Sequence, residues 1–239
     1  MKKNALLKIL LAMVVVAGAS CSDDDTPNDP AGTVTLNMLN EQNGKTLLGT
    51  SDVYINKANN FYSSSCFISD AGSVGGVGTS IEPILGNLVN QVAVTKGHLY
   101  QIFDSETVHD FPSGVRAIMT DAAYYRLYVE SPITVDNNLT GAIVKYVLVY
   151  PDAHNLPKYG HLIGEVQYSG ESVSMELPKD AECFWYGGVP EVFDISTDDR
   201  ILRMTLTRTP TEFNGITGDY RVYIRLGNVF TSVVVRVVR

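Results

Sequence analysis

The sequence predicts an all-β protein built of two β-sandwich-like units. Apolar and polar residues alternate with a period of two in nearly every segment after residue 33, which is the pattern of half-buried strands. Clusters of Gly, Asn, Asp and Pro separate these segments at short intervals, as turns do. Only residues 81–92 offer a helical stripe of apolar residues, and that stripe is short. We therefore expect one unit over residues 33–150 and a second over residues 151–239.

The strands of the first unit are predicted from alternation and from the turns between them. In the first strand Val34, Leu36 and Met38 should face a core, with Thr and Asn outside. Asn59–Asn60 marks a turn between two further strands, and Lys96–Gly97 marks the turn of a predicted hairpin. Strands are predicted at residues 33–38, 52–56, 61–69, 91–95, 98–104, 114–120, 124–129 and 142–150.

Residues 71–86 interrupt this pattern with a glycine-rich segment. The segment holds five glycines, several Ser and Thr, and Pro83, so it predicts a long flexible loop. The spacing of Ile84, Leu85, Leu88 and Val92 allows one or two helical turns at its end, with Pro83 in the first turn.

The second unit shows the cleaner alternation. In residues 201–207 the side chains of Leu202, Met204 and Leu206 should lie on one face. Residues 220–226 alternate in the same way, with Tyr223 and its flanking arginines outside, and Gly227–Asn228 forms a tight turn into the last strand. These short strands resemble the closing strands of an immunoglobulin-like sandwich, although the Cys–Trp–Cys signature of that fold is missing.

The first 21 residues have the features of an export signal. Lys2, Lys3 and Lys8 accompany a short apolar stretch that ends in Gly18-Ala19-Ser20-Cys21. A cysteine in this place resembles a bacterial lipoprotein signal, which implies that residues 1–20 are removed and that Cys21 is lipidated. The alternative is an ordinary secretory signal in which the cysteine stands by chance.

The residues after Cys21 predict a tether and an address. Residues 21–32 are almost free of apolar side chains, so we expect a flexible tether. Its acidic run Ser22-Asp23-Asp24-Asp25 resembles the tag that sends lipoproteins of the Bacteroidota to the outside of the outer membrane. We therefore expect a lipid anchor in the outer membrane and exposure at the cell surface. The alternative is a solvated acidic tether without an address.

The charge of the chain excludes one class of partner. The net charge is −8, with 26 acidic and 18 basic residues, so no basic footprint for nucleic acid is available. Seven arginines nevertheless lie in residues 200–239, beside only Glu212 and Asp219. They either pair with acids elsewhere on the strands, which we favour, or form a docking patch for an anionic partner.

The sequence predicts no catalytic residue, no metal site and no cofactor. His98, His109, His154 and His161 stand in no metal-ligand spacing, and polar loop residues are the favoured interpretation of Asp152, His154 and His161. Nucleophile-elbow and phosphate-loop motifs are missing. Cys66 and Cys183 are far apart, so two single buried thiols are favoured over a disulfide.

Aromatic residues supply the predicted ligand-binding positions. Trp185 and Tyr186, with the neighbouring Phe184, and the pair Tyr124 and Tyr125 could stack against a sugar or a peptide. Alternation implies that one residue of the Tyr124–Tyr125 pair points outward. The competing interpretation is that these aromatic side chains fill the core of a sheet.

Three segments, residues 33–49, 59–66 and 91–100, resemble an uncharacterised family of Bacteroides surface lipoproteins. The resemblance supports the address and implies no activity. We expect a non-enzymatic binding or scaffold module for a glycan or an envelope protein. The alternatives are a glycan-directed hydrolase with carboxylates on loops, or a structural subunit of an outer-membrane assembly.

Overall fold

A computed structural model of the chain describes residues 29–209 and 215–239. The predicted all-β class is confirmed, because strands dominate and the one α-helix within these ranges, α1, is the single turn Val189–Val192. No helix within the described ranges is long and apolar enough to span a membrane. The predicted signal peptide, Cys21 and most of the tether lie outside the described residues.

The first ten strands build the first unit and contribute to the second. They are β1 (Val34–Leu39), β2 (Tyr54–Ile55), β3 (Asn60–Tyr62), β4 (Cys66–Ser73), β5 (Gln91–Ala93), β6 (His98–Asp104), β7 (Val108–Phe111), β8 (Val115–Met119), β9 (Tyr124–Val135) and β10 (Asn138–Val149). An antiparallel sheet runs in the order β1-β10-β9-β6-β4, and a small sheet in the order β2-β3-β5. Their facing side chains, including Met38, Phe61 and Tyr100, form a core.

The predicted turn at Asn59–Asn60 is confirmed, and a second turn of the first unit joins β9 and β10. Asn59 adopts a positive φ of 60° between β2 and β3. Asp136 and Asn137 have φ values of 49° and 64°, so two left-handed residues join β9 and β10. Turns of this kind match the right-handed twist of a hairpin, and Asn and Asp tolerate them best.

The remaining strands complete the second unit. They are β11 (His161–Val166), β12 (Ser172–Glu176), β13 (Glu182–Trp185), β14 (Phe193–Ser196), β15 (Ile201–Leu206), β16 (Gly218–Leu226) and β17 (Val229–Val237). We call the sheet with the order β13-β16-β17-β8-β7 the C-terminal sheet; β11 also pairs with β17. The sheet β12-β15-β14 packs against it through Leu202, Met204, Val222 and Ile224, in the manner of an immunoglobulin-like sandwich.

The C-terminal sheet draws on both halves of the chain. β8 lies parallel to the start of β17, with Ile118 opposite Val229, and β7 pairs with β8 at the edge. Phe103 and Tyr124 also join the core of the second unit. The boundary at residue 150 stays a prediction, and two strands from before it are part of the sheet that follows it.

Three local predictions of the first unit are wrong. No helix forms over residues 81–92, where the chain runs as an irregular loop into β5. β5 and β6 do not pair with each other, because β5 joins β3 while β6 lies between β4 and β9. The glycine-rich loop is not loose. The side chain of Gln101 binds the backbone of Ile81, Glu82 and Ile84, and Arg126 binds the carbonyls of Thr79 and Ile81.

Candidate functional site

The outer face of the C-terminal sheet carries a cluster of aromatic rings. Alternation along β16 turns Val222 and Ile224 into the core and turns Tyr223 to the opposite side. On β17 the same rule turns Val229 inward and Phe230 outward. We call the outward set the aromatic face; its members are His109, Phe111, Tyr159, Phe184, Tyr186, Tyr223 and Phe230.

The rings of the aromatic face are in mutual contact. His109 stacks on Tyr223 with ring centroids 5.2 Å apart and an angle of 2° between the planes. Tyr186 meets the same tyrosine edge-on at 5.7 Å. The ring centroids of Phe111 and Phe184 are 4.9 Å apart. The first two pairs have the favoured stacked and edge-to-face geometries, and the rings of the third pair are tilted by 49°. Each ring therefore helps to hold its neighbour in place.

The aromatic face has a buried base and an accessible upper layer. Phe111 and Phe230 are each only 3% exposed and form the base. His109 and Tyr223 are half-buried, and Tyr186 is 45% exposed. Rings that are fixed from below and open above offer flat apolar surface at little conformational cost.

Charged side chains border the aromatic face. Arg225 pairs with Glu182, and Arg236 binds Asp219 at 2.7 Å and Glu165 at 3.5 Å. The prediction that the C-terminal arginines pair with acids on the strands is confirmed for these two residues.

A depression of about 320 Å³ lies at one edge of the aromatic face. Its lining residues are Tyr186, Gly188, Val189, Asp219, Tyr220, Arg221 and Tyr223. Hydrogen bonds from Arg236 lower the pKa of Asp219, so its carboxylate is ionised at neutral pH. Burial, and next the neighbouring Tyr159, raise the pKa of Tyr223, so its hydroxyl keeps its proton. The depression therefore combines flat rings with fixed hydrogen-bonding groups.

The four aromatic residues predicted from the sequence have different places. Tyr186 belongs to the aromatic face. Trp185 lies on β13 at the edge of the sheet, where it is paired with Val222 of β16 and is 37% exposed. Alternation turns its side chain away from the aromatic face, to the inner side of the sheet. Tyr124 is 2% exposed and stacks on Phe103 at 5.0 Å, so it has no surface for a ligand.

Tyr125 also lies away from the aromatic face. It is half-buried against Tyr146 in the first unit, and its hydroxyl lies 3.3 Å from that of Thr50. The expectation that one residue of the Tyr124–Tyr125 pair points outward is met only in part.

Most of the aromatic face was not predicted as a ligand-binding site from the sequence. Alternation correctly predicts Tyr223 on the outside of β16, but it does not indicate that this residue contacts His109 or lies near Phe111 and Phe230. These residues come from β7, β16 and β17 and meet only through the pairing of β8 with β17. Their common signal in the sequence is an aromatic or imidazole ring at an outward position of an alternating strand.

Several titratable residues elsewhere form local contacts. His98 contacts Asp70 at 3.0 Å, and Asp152 accepts a hydrogen bond from the backbone of His154. Within residues 29–209 and 215–239, no three His, Cys, Asp or Glu side chains are grouped to hold a metal ion. Burial raises the pKa of Asp52, but hydrogen bonds from three successive serines, residues 63–65, outweigh burial and lower it.

A wider depression of about 930 Å³ lies between loop residues 81–86 and the β7–β8 hairpin. Its walls include Pro83, Leu85 and Val115, and its cation Arg116 is neutralised by Asp110 at 2.7 Å. Asn228 donates a hydrogen bond to the carbonyl of Pro83 and closes one end. This depression lacks the aromatic rings that distinguish the aromatic face.

Both described cysteines carry free thiols, as favoured from the sequence. Cys66 is buried in the core of the first unit, and burial raises the pKa of its thiol. Cys183 packs against the core of the second unit, and burial raises its pKa to about 11. At neutral pH both thiols are protonated, which suits a packing role.

Comparisons with known proteins place the chain in a family without assigning it an activity. No curated protein matches it. Among solved structures, the I-band fragment I67–I69 from titin is similar at 12% identity, covering 87% of this chain and 99% of that one with a TM-score of 0.26. A family model described as a domain of unknown function, DUF5036, matches residues 35–238, and this chain therefore belongs to the DUF5036 family.

Proposed function

We propose that this chain is a non-enzymatic carbohydrate-binding module, anchored by lipid at the cell surface of a Bacteroides-type bacterium. The address is supported by the lipoprotein-like signal that ends at Cys21 and by the acidic run at residues 22–25. The binding role is supported by the aromatic face, which is the single observation that carries it.

The chemistry of the aromatic face suits a sugar ring. A pyranose has an apolar C–H surface that packs on an aromatic ring, and its hydroxyl groups need hydrogen-bond partners at the rim. Tyr223 and Tyr186 supply the rings, and Asp219 and Arg221 supply an acceptor and a donor in the same depression. Because Phe111 and Phe230 hold this layer from below, binding orders few side chains.

Binding can be tested with the mature protein and an array of immobilised glycans, followed by calorimetry on each glycan retained. Tyr223→Ala and Tyr186→Ala should each weaken binding by about tenfold or more, because central aromatic contacts dominate binding energy. Tyr150→Ala is the matched control, since Tyr150 is 66% exposed and lies outside the aromatic face. Binding that survives both face variants would refute the proposed site.

The envelope-protein interpretation predicts a different loss for the same variants. Tyr and Arg are also enriched in protein interfaces, so the face variants should then lose a fixed protein partner rather than a glycan. A pull-down from detergent extracts with the wild-type and Tyr223→Ala proteins distinguishes the two outcomes.

The proposed address has an independent test. Mass spectrometry of the mature N-terminus should find Cys21 as the first residue with acyl chains attached, and Cys21→Ala should release the protein from the membrane. Protease added to intact cells should digest the wild-type protein. An unmodified Cys21, or protection from protease, contradicts the anchor or the surface exposure respectively.

A further inference from the structure

Arg221 differs from the other arginines on the outer side of β16 and β17. Arg225 and Arg236 both bind carboxylates. Among the described residues no carboxylate oxygen lies within ion-pairing distance of Arg221, whose guanidinium donates a hydrogen bond to the Ser232 hydroxyl at 3.2 Å. The same group lies 5.7 Å from the ring centre of Tyr159. Arg221 is thus held in position without a direct ion pair, although its longer-range attraction contributes to the lowered pKa of Asp219.

The place of Arg221 connects this charge with the aromatic rings. It lines the same depression as Tyr186 and Tyr223 and is exposed to solvent. Asp219, the carboxylate in that depression, is engaged by two nitrogens of Arg236, at 2.7 and 3.3 Å. The depression therefore has one neutralised carboxylate, one available guanidinium and two rings.

We propose that the ligand of this depression is an acidic saccharide, a pyranose that carries a carboxylate. This inference rests on the proposed carbohydrate binding and specifies its ligand class. The sugar ring packs on Tyr223 and Tyr186, and its carboxylate accepts hydrogen bonds from the guanidinium of Arg221. Arginine suits this role because its planar donors can contact both carboxylate oxygens, and partial exclusion of water strengthens the bond.

Because the net charge of the chain is −8, binding of an acidic saccharide depends on the charges in the depression itself. A negatively charged protein repels an acidic polymer at long range, so binding depends on a short-range contact with a fixed cation. Arg221 is such a cation. A neutral saccharide meets no repulsion and gains from Arg221 only a hydrogen bond to a hydroxyl group, so the two kinds of sugar should respond differently to loss of this side chain.

The test uses saccharides that differ only in charge. Oligogalacturonate and its methyl ester share one sugar backbone, and calorimetry with each gives a ratio of affinities for the mature protein. We expect the acid to bind about ten- to a hundredfold more tightly, the range for a hydrogen bond to a charged group. Sialyllactose against its methyl ester extends the comparison to a second sugar that carries a carboxylate.

Three variants test whether the ratio of acid to ester affinity depends on Arg221. Arg221→Gln should bring the ratio to one or below, because the repulsion from the negative protein remains. Arg221→Lys should restore part of the ratio because the charge stays while the planar fork is lost. Arg203→Gln is the matched control, since Arg203 is an exposed arginine on β15 in the opposite sheet, and it should leave the ratio unchanged. Circular dichroism verifies that each variant is folded.

The outcomes separate this inference from the proposed function. Equal affinity for acid and ester, or a preference that survives Arg221→Gln, overturns the acidic-ligand inference while carbohydrate binding stands. Binding of neither the acids nor any neutral glycan on the array overturns the proposed function and, with it, this inference.

Discussion

The two faces of the C-terminal sheet are made by alternate residues of the same strands, yet they differ in chemistry. The inner face is aliphatic and closed: Val222, Ile224 and Val233 have no exposed surface. The aromatic face combines rings with arginines and carboxylates, and its upper layer reaches solvent. A strand needs only one covered face for stability, so the second face can carry rings and charges that a binding surface requires.

The largest difference between the faces should be in stability. Ile224→Ala should lower the free energy of unfolding by about 2–5 kcal/mol, because it leaves a cavity in a packed core. Tyr223→Ala, one residue away, should lower the free energy of unfolding less and weaken ligand binding by about tenfold or more. Urea denaturation measures the first quantity and calorimetry the second. If the two variants lose equal stability, the aromatic face is a second core rather than a site.

The thiol of Cys183 reports on the inner side of β13. Burial raises its pKa from 9.0 to about 11, so the thiolate at pH 8 should be about a hundredfold scarcer than in the unfolded chain. Iodoacetamide should label the Cys183 peptide slower by that factor in native protein than in urea, as followed by mass spectrometry. Equal rates would mean that the inner face opens at this edge.

The contact between His109 and Tyr223 should couple the two residues by about 0.5–1.5 kcal/mol, the range for stacked rings. A double-mutant cycle with His109→Ala and Tyr223→Ala, read by urea denaturation, measures this coupling. The pair Tyr150 and Tyr223 serves as control and should be additive, because distant sites do not couple. Additive losses for His109 and Tyr223 would mean that the upper layer is not held as one unit.

The smallest expected effect is a pH dependence of stability that comes from Asp219 on the outer side of the sheet. Arg236 lowers the pKa of Asp219, so the folded state binds this proton less readily than the unfolded chain. The resulting stability is present above the ordinary value of 3.8 and is lost as the pH falls through the lowered value.

This dependence can be measured by comparing two variants across pH. The difference in Tm between wild type and Asp219→Asn should shrink as the pH falls below about 4. Ile224→Val is the control, since its cost comes from packing on the inner face and should persist at each pH. An Asp219→Asn effect that stays constant with pH would exclude the ion pair as its source.

The sequence predicted local features well, because they depend on neighbouring residues. Alternation assigned Leu202, Met204 and Ile224 to the core and Tyr223 to the outside, and all four assignments are confirmed. The Asn59 and Gly227 turns were recognised for the same reason, since their backbone conformations favour Asn and Gly.

The predictions that were wrong concern features that depend on residues distant in the sequence. The apolar spacing at residues 81–92 indicated a helix, but Gln101 and Arg126 bind the backbone of Ile84 and Ile81 and hold the start of this segment in an irregular loop. Tertiary contacts override such a weak signal. Trp185 was predicted to stack against a ligand because it is aromatic and lies beside Phe184 and Tyr186 in the sequence. Which side of β13 would be covered could not be known until β16 was paired with it, and that pairing turned Phe184 rather than Trp185 toward Tyr223.

The parallel pairing of β8 with β17 also sets an order of events for the growing chain. Val229 and Phe230 leave the ribosome about a hundred residues after Ile118 and Met119, their partners. At about 5–20 residues per second, synthesis of that interval takes about 5–20 s. Throughout it the β7–β8 hairpin lacks the strand that completes its sheet. The synthesis of β17 therefore determines when both faces of the sheet can form.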